Sequence, residues 1–85
     1  MPRHTYWVYI LKCSDDSYYV GSTSDLARRL SEHQAGLVKG SYTSKRLPVE
    51  MAWFADFPTH DDAFQRERQI KGWSRAKKEA LIAGN

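Results

Sequence analysis

Six consecutive side chains, Tyr6-Trp7-Val8-Tyr9-Ile10-Leu11, are aromatic or aliphatic at every position. Side chains alternate between the two faces of a strand, so a strand that is apolar on both parities must be covered on both sides. Helices are therefore expected above and below it. A pairing partner follows closely. Residues 18–23, Tyr-Tyr-Val-Gly-Ser-Thr, have the same aromatic and β-branched character, and Ser14-Asp15-Asp16-Ser17 between the runs favours a turn. Residues 6–13 and 18–23 thus read as an antiparallel hairpin.

Ser24 can cap a helix over residues 25–35, with Asp25 near the positive end of the dipole and Gly36 suited to a left-handed stop. At about 100° per residue, Arg29 and His33 fall beside the apolar stripe of Leu26 and Leu30. Arg28 points away, within reach of Glu32 four residues on. His33 alone reads as a core histidine, but a cation such as Arg29 at the rim of a buried stripe needs an anionic partner from the protein or a ligand. Residues 37–48 read as a polar loop or short helical turn leading to a third strand, Val49 to Phe57, which Pro58 ends. Thr59 and Asp62 form a capping-box-like start to the next helix, and Gly72 and Ser74 interrupt the pattern before a short basic helix, Arg75 to Ile82.

On the helix after Thr59 one acid is out of place. Glu67 lies within the arc of Ala63 and Ile70, which should face the sheet. A buried, isolated carboxylate costs several kcal/mol. Glu67 therefore needs Lys71 at i+4, another cation such as Arg29, or a metal ion.

At 85 residues the chain is expected to form one domain, residues 1–85, that hides only about 60–65 % of its unfolded surface. Three Trp, five Tyr and three Phe suit so thin a core, because Trp and Tyr bury a ring and keep a polar tip. A single cysteine, Cys13, excludes an internal disulfide, and the start Met1-Pro2-Arg3 shows no apolar signal region. A reducing cytoplasm is the expected compartment. No run approaches the roughly 20 apolar residues that span a bilayer. The formal charge is +3, with Arg66, Arg68, Lys71, Arg75, Lys77 and Lys78 facing a lone Glu67 over residues 64–78, and Lys39, Lys45 and Arg46 clustered without an acid. Each alone reads as solvated surface; together they resemble a phosphate footprint. A zinc site from His4, Cys13, His33 and His60 lacks ligand spacing, and a nucleophilic Cys13 has no support.

Val8-Tyr9-Ile10, then Tyr19-Val20-Gly21, then Arg29, His33 and an acid-bearing helix near the C-terminus resemble the GIY-YIG nuclease superfamily, chiefly its small stand-alone bacterial members. Gly40 to Val49 is similar to the same group, and the likeness spans roughly Thr5 to Ile82. The resemblance implies an α+β fold, a three-stranded antiparallel sheet flanked by helices. It also implies cleavage of a DNA phosphodiester with one divalent cation, Mg²⁺ or Mn²⁺. Carried over to this chain, Tyr9 and Tyr19 match the motif tyrosines, Gly21 the second-motif glycine, Arg29 the catalytic arginine, His33 the frequent histidine and Glu67 the metal-binding glutamate. The sequence departs from the pattern twice. Only Asn85 follows Glu67 where some members have an asparagine, and Ser22 stands where excision-repair relatives often have lysine.

These groups suit phosphodiester hydrolysis, which needs a neutralised phosphate, a deprotonated water and a stabilised leaving oxygen. Glu67 would hold the cation, Arg29 would bind the non-bridging oxygens, Tyr9 would serve as base with Tyr19 orienting the water, and His33, Arg29 or the metal would supply the positive charge that a phenolic base needs. Lys45, Arg46, Lys71 and Arg75 are the expected nucleic-acid contacts. The expected partners are DNA and a protein that confers specificity, with the chain a monomer or weak homodimer. Two other readings are a binding module that has lost cutting, and a structural domain with an internal Arg29–Glu67 salt bridge. One condition is geometric: Tyr9 and Tyr19 share a face only if an odd loop or a bulge joins their strands.

Overall fold

In the computed structural model, which describes residues 5–38 and 42–84, the hairpin forms as β1 (Tyr6–Lys12) and β2 (Tyr18–Thr23), and β3 (Glu50–Phe57) pairs with the other side of β1. The sheet has three antiparallel strands in the order β2-β1-β3, with α1 (Leu26–Gln34), α2 (His60–Lys71) and α3 (Arg75–Ile82) around it. The expected α+β class and three-stranded architecture are what is found.

β1 is the central strand and is buried on both faces, as its two-sided apolar pattern requires. Val8 and Ile10 join Val20, Ala63 and Ile70 in one core, completed by Trp73, Leu81 and Ile82 from the α2–α3 side. Tyr9 and Leu11 join Cys13 and Val49 in the other, beneath Leu26 and Leu30 of α1. Burying a side chain the size of Ile70 contributes about 1.5–3 kcal/mol. Ala63 and Ile70 are both buried, which fixes the rotation of α2 and turns Glu67, on the same stripe, toward the sheet.

The helix ends show the local causes. α1 is capped by Asp25 rather than Ser24: the Asp25 side chain accepts from the Arg28 N–H at 3.1 Å. An aspartate cap places its charge at the dipole's positive end and satisfies an orphan donor. At the other end the Leu37 N–H donates to the Glu32 carbonyl and the Gly36 N–H to the His33 carbonyl, with Gly36 at φ 71°. This Schellman stop holds the last turn, and His33 with it, in place. Thr59 caps α2 through the Asp62 N–H, as expected, and Ser74 caps α3. The strand limits shift by one residue: Cys13 and Val49 are buried but lie outside β1 and β3. Met1 to His4, Lys39, Gly40, Ser41 and Asn85 lie outside the described residues, and with them His4 of the zinc reading, Lys39 of the basic cluster and the start of the Gly40–Val49 segment. No described helix is long and apolar enough to cross a membrane.

Candidate active site

The connection between β1 and β2 is residues 13–17, an odd length, and the register pairs Tyr9 with Gly21 and Leu11 with Tyr19. Both motif tyrosines therefore project from the same face, under α1. Their ring centroids are 6.3 Å apart. Gly21 makes this possible: a Cβ there would lie 2.5 Å from Tyr9 Oη and 2.7 Å from Cζ. The Tyr9 phenol crosses the space that any side chain at position 21 would fill.

α1 supplies the next two groups. His33 is fully buried, with Nε2 2.9 Å from Tyr9 Oη and Nδ1 2.7 Å from Thr43 Oγ1. Arg29 stands beside the Tyr9 phenol, close enough for its charge to act on it, and pairs with Glu32 at 3.3 Å. The phenol can donate to Nε2 when Nδ1 carries the imidazole proton and donates to Thr43. Tyr9, His33 and Thr43 form one hydrogen-bonded chain on a single face, with Arg29 beside it. The Tyr19 ring stands 5.2 Å from His33, and its hydroxyl has no hydrogen-bond partner among the described residues.

Electrostatics narrows one open choice, the source of positive charge beside Tyr9. Burial, then the positive charge of Arg29, pushes the His33 imidazole below its ordinary value, against a smaller opposing pull from Glu32. His33 is thus neutral near pH 7 and is not the cation that would activate Tyr9. Burial, reinforced by Tyr19, pushes the Tyr9 phenol up to about 12, despite Arg29, and the charge of Glu67 adds to the rise. Tyr9 is a weak acid in this structure, with a neutral imidazole ready to accept its proton.

Glu67 reaches the site from the other face. Ser22 pairs with Val8, on the α2 side, and its hydroxyl donates to Glu67 Oε1 at 2.5 Å. Lys71 Nζ stands 2.6 Å from Oε2, and the Glu67 side chain is only 13 % exposed. Because β2 is an edge strand, Tyr9 above Gly21 and Glu67 below Ser22 flank the same rim from opposite sides. Arg29 faces Glu32, not Glu67, so the internal Arg29–Glu67 salt bridge is absent among the described residues. Beside this rim lies a cleft of ≈ 320 Å³ lined by Ser22, Thr23, Ser24, Asp25, Arg28, Arg29 and Glu32.

Of the four expected nucleic-acid contacts, Lys45 is exposed on a 3₁₀ turn, Tyr42–Lys45. The other three are engaged. Arg46 pairs with Asp15 at 3.0 Å and stacks on Tyr42, Arg75 donates to the Asp16 carbonyl and faces Glu79, and Lys71 holds Glu67.

Residues 5–80 match the model of the GIY-YIG catalytic domain. The chain belongs to the GIY-YIG family. A UPF0213 protein of Bacillus pumilus is 43 % identical over 83 residues, 96 % of this chain and 83 % of that protein. A UPF0213 protein of Natronomonas pharaonis is 45 % identical over 78 residues, 92 % of this chain and 91 % of that one. The solution NMR structure of a UPF0213 protein of Bacillus halodurans superimposes with a TM-score of 0.61 at 38 % identity, covering 93 % of this chain and 83 % of that one. GIY-YIG proteins form a nuclease-type family that acts on nucleic acid and generally uses a divalent metal.

The donors here fit a hard cation. The Glu67 carboxylate and Ser22 hydroxyl are both oxygen ligands, and the carboxylate already holds a positive charge, the Lys71 ammonium. A single carboxylate suits magnesium, which keeps several waters. Among the described residues no group of three His, Cys, Asp or Glu side chains gathers to hold a metal ion, so Glu67 would act as the single carboxylate ligand.

Sequence reasoning missed three members of this GIY-YIG site. Thr43 and Glu32 fix His33 and Arg29, and Ser22, noted only as a departure, binds Glu67. Position 22 follows Gly21 on the strand, so its side chain necessarily emerges on the opposite face. That alternation was the one available signal.

Proposed function

We propose that this GIY-YIG chain is a divalent-cation-dependent DNA endonuclease that hydrolyses phosphodiester bonds in repair or processing. The observation that carries the reading is the hydrogen-bonded pair of Tyr9 and His33 over Gly21, with Arg29 beside it and Glu67 held at the same strand edge.

In this reading Glu67, supported by Ser22, holds Mg²⁺ or Mn²⁺. When bound, the ion supplies neutralising charge for the phosphate and the departing oxygen. Arg29 is half-exposed toward the cleft and donates to the non-bridging oxygens. Tyr9 takes a proton from the attacking water as its own proton passes to His33 Nε2. This exchange avoids a free phenolate, which burial makes costly. Thr43 keeps the imidazole in the tautomer that can accept, and Tyr19, whose hydroxyl has no partner among the described residues, orients the water. Lys45 contacts a phosphate directly, whereas Arg46, Lys71 and Arg75 must first leave an internal partner. A cytoplasmic location, a protein partner that confers specificity, and a monomeric or weakly dimeric state belong to the same proposal.

A second reading, a binding module that has lost efficient cutting, draws on the raised Tyr9 pKa and on Lys71 occupying Glu67. Nicking of supercoiled plasmid, and of single-stranded, flap and branched oligonucleotides, separates the two. The endonuclease cuts at least one of these in Mg²⁺, not in chelator, and Glu67→Ala abolishes cutting while the circular dichroism spectrum is retained. DNA binding without any cutting leaves the second reading. Cutting by Glu67→Ala at the wild-type rate overturns the assignment of Glu67.

A further inference from the structure

α2 carries three cations near Glu67, and only one reaches its carboxylate. Arg66 is bonded to Gln69 and Arg68 lies over the Phe64 ring, while Lys71 Nζ is 2.6 Å from Glu67 Oε2. Glutamate four residues before lysine is the favoured orientation for such a pair. The two partners differ sharply in environment: the Glu67 side chain is 13 % exposed, Lys71 51 %. The ammonium therefore approaches the carboxylate from the solvent side, the same side from which an ion must arrive. Oε1 accepts from the Ser22 hydroxyl, so Oε2, on the solvent side, is the position for which an ion and the ammonium contend.

A magnesium-sized ion sits about 2.1 Å from a carboxylate oxygen. An ammonium on the other lone pair of that oxygen would lie roughly 4 Å from the ion and repel it, so the two compete for Oε2. Lys71 is able to leave, because its flexible four-carbon stem is half-exposed and the core holding α2 is made by Ala63 and Ile70. Among the described residues Lys71 has no second anionic partner. A phosphate bound at the strand edge gives the displaced ammonium one.

We infer that Lys71 is a resident cation on Glu67 that a divalent ion displaces, and that the displaced ammonium becomes a contact to substrate phosphate. The inference rests on the endonuclease reading above. It makes ion and DNA binding mutually reinforcing, since each offers one member of the Glu67–Lys71 pair its replacement partner. Lys71 is on this account a positioning residue: it withholds the carboxylate from metal until substrate is present.

The test uses Mn²⁺ titrated calorimetrically into the whole protein and its Lys71→Met and Lys71→Arg variants, with circular dichroism to verify folding. Lys71→Met binds Mn²⁺ about fivefold more tightly than wild type without DNA, and Lys71→Arg, which keeps the competing charge, stays near wild type. DNA tightens Mn²⁺ binding to wild type more than to Lys71→Met, in which only the direct ion–phosphate contact remains. Salt titration of binding to a labelled oligonucleotide supplies the second readout. In Ca²⁺ the slope of log affinity against log salt is shallower for Lys71→Met by about 0.9, and without a divalent ion it matches wild type. Unchanged or weaker Mn²⁺ binding by Lys71→Met overturns the inference, as does an equal loss of slope with and without the ion. If neither wild type nor Lys71→Met binds Mn²⁺ at millimolar concentration, the endonuclease reading falls too; if wild type binds ion and DNA and only the Lys71 effects are missing, that reading survives alone.

Discussion

Gly21→Ala places a methyl group where the Tyr9 phenol now lies. The added Cβ would be 2.5 Å from Tyr9 Oη, 2.7 Å from Cζ and 3.0 Å from Tyr19 Cε2. Ordinary contact begins near 3.4 Å, so the phenol must retreat by about 0.9 Å. It has little room, being 2 % exposed and held by His33 at 2.9 Å. A retreat of that size stretches the hydrogen bond beyond useful length. Overpacking costs about 1–3 kcal/mol and the lost hydrogen bond about 1 kcal/mol, together on the order of 2–4 kcal/mol. For a domain this small the midpoint of thermal unfolding falls by roughly 10–20 °C. Circular dichroism melts measure it, and plasmid nicking well below the midpoint should also drop, because Tyr9 is displaced. A midpoint within about 3 °C of wild type, inside the effect of an ordinary surface change, with unaltered nicking, would refute the close-approach argument.

Two further outcomes follow from the same contacts. The folded-state pKa of His33 is depressed from its ordinary value of 6.5, so the unfolded chain takes up the proton first: stability present above that value is lost as pH falls through it, and urea melts between about pH 7 and 5 should show a decline that His33→Gln flattens. Asp15, held low by Ser17 and then Arg46, acts only nearer pH 3.8 and does not obscure this window. Gly36→Ala forces a Cβ into left-handed backbone at φ 71° and against Leu47 Cδ1 at 3.3 Å, and denaturant melts should show a loss of about 1–2 kcal/mol.

The layout of this protein was legible wherever a residue's role followed from its own neighbours in sequence. The two-sided apolar run of β1 announced coverage on both faces, and the arc of Ala63 and Ile70 announced that Glu67 would turn inward. The shared face of Tyr9 and Tyr19 was legible as a condition, met by the odd connection of residues 13–17. What stayed hidden depended on distant contacts. Thr43 lies in a stretch that reads as polar loop, and nothing local marks it as the partner of His33 ten residues earlier. The Arg46–Asp15 pair joins two loops, and the bulge between Ile10 and Leu11, where β3 slips its register past Ala52, has no turn residue to signal it. The neutral state of His33 was hidden for a similar reason. Helical position placed the ring beside the stripe, but only the packed structure shows complete burial, which drives the imidazole to its neutral form.

Tyr9 is where the two halves of the account meet, since its ring belongs to the α1-side core and its hydroxyl to the relay. Tyr9→Phe keeps the ring and removes one oxygen. Leaving the buried His33 Nε2 unpaired costs about 1–3 kcal/mol, so the comparison belongs at a temperature where both proteins remain folded. Single-turnover cleavage of a DNA substrate in Mg²⁺, with DNA affinity measured in parallel, then reads the hydroxyl alone. The account predicts a rate lower by about 100-fold or more with affinity nearly unchanged; a variant that cuts within about twofold of wild type would contradict the placement of Tyr9 at the reacting water.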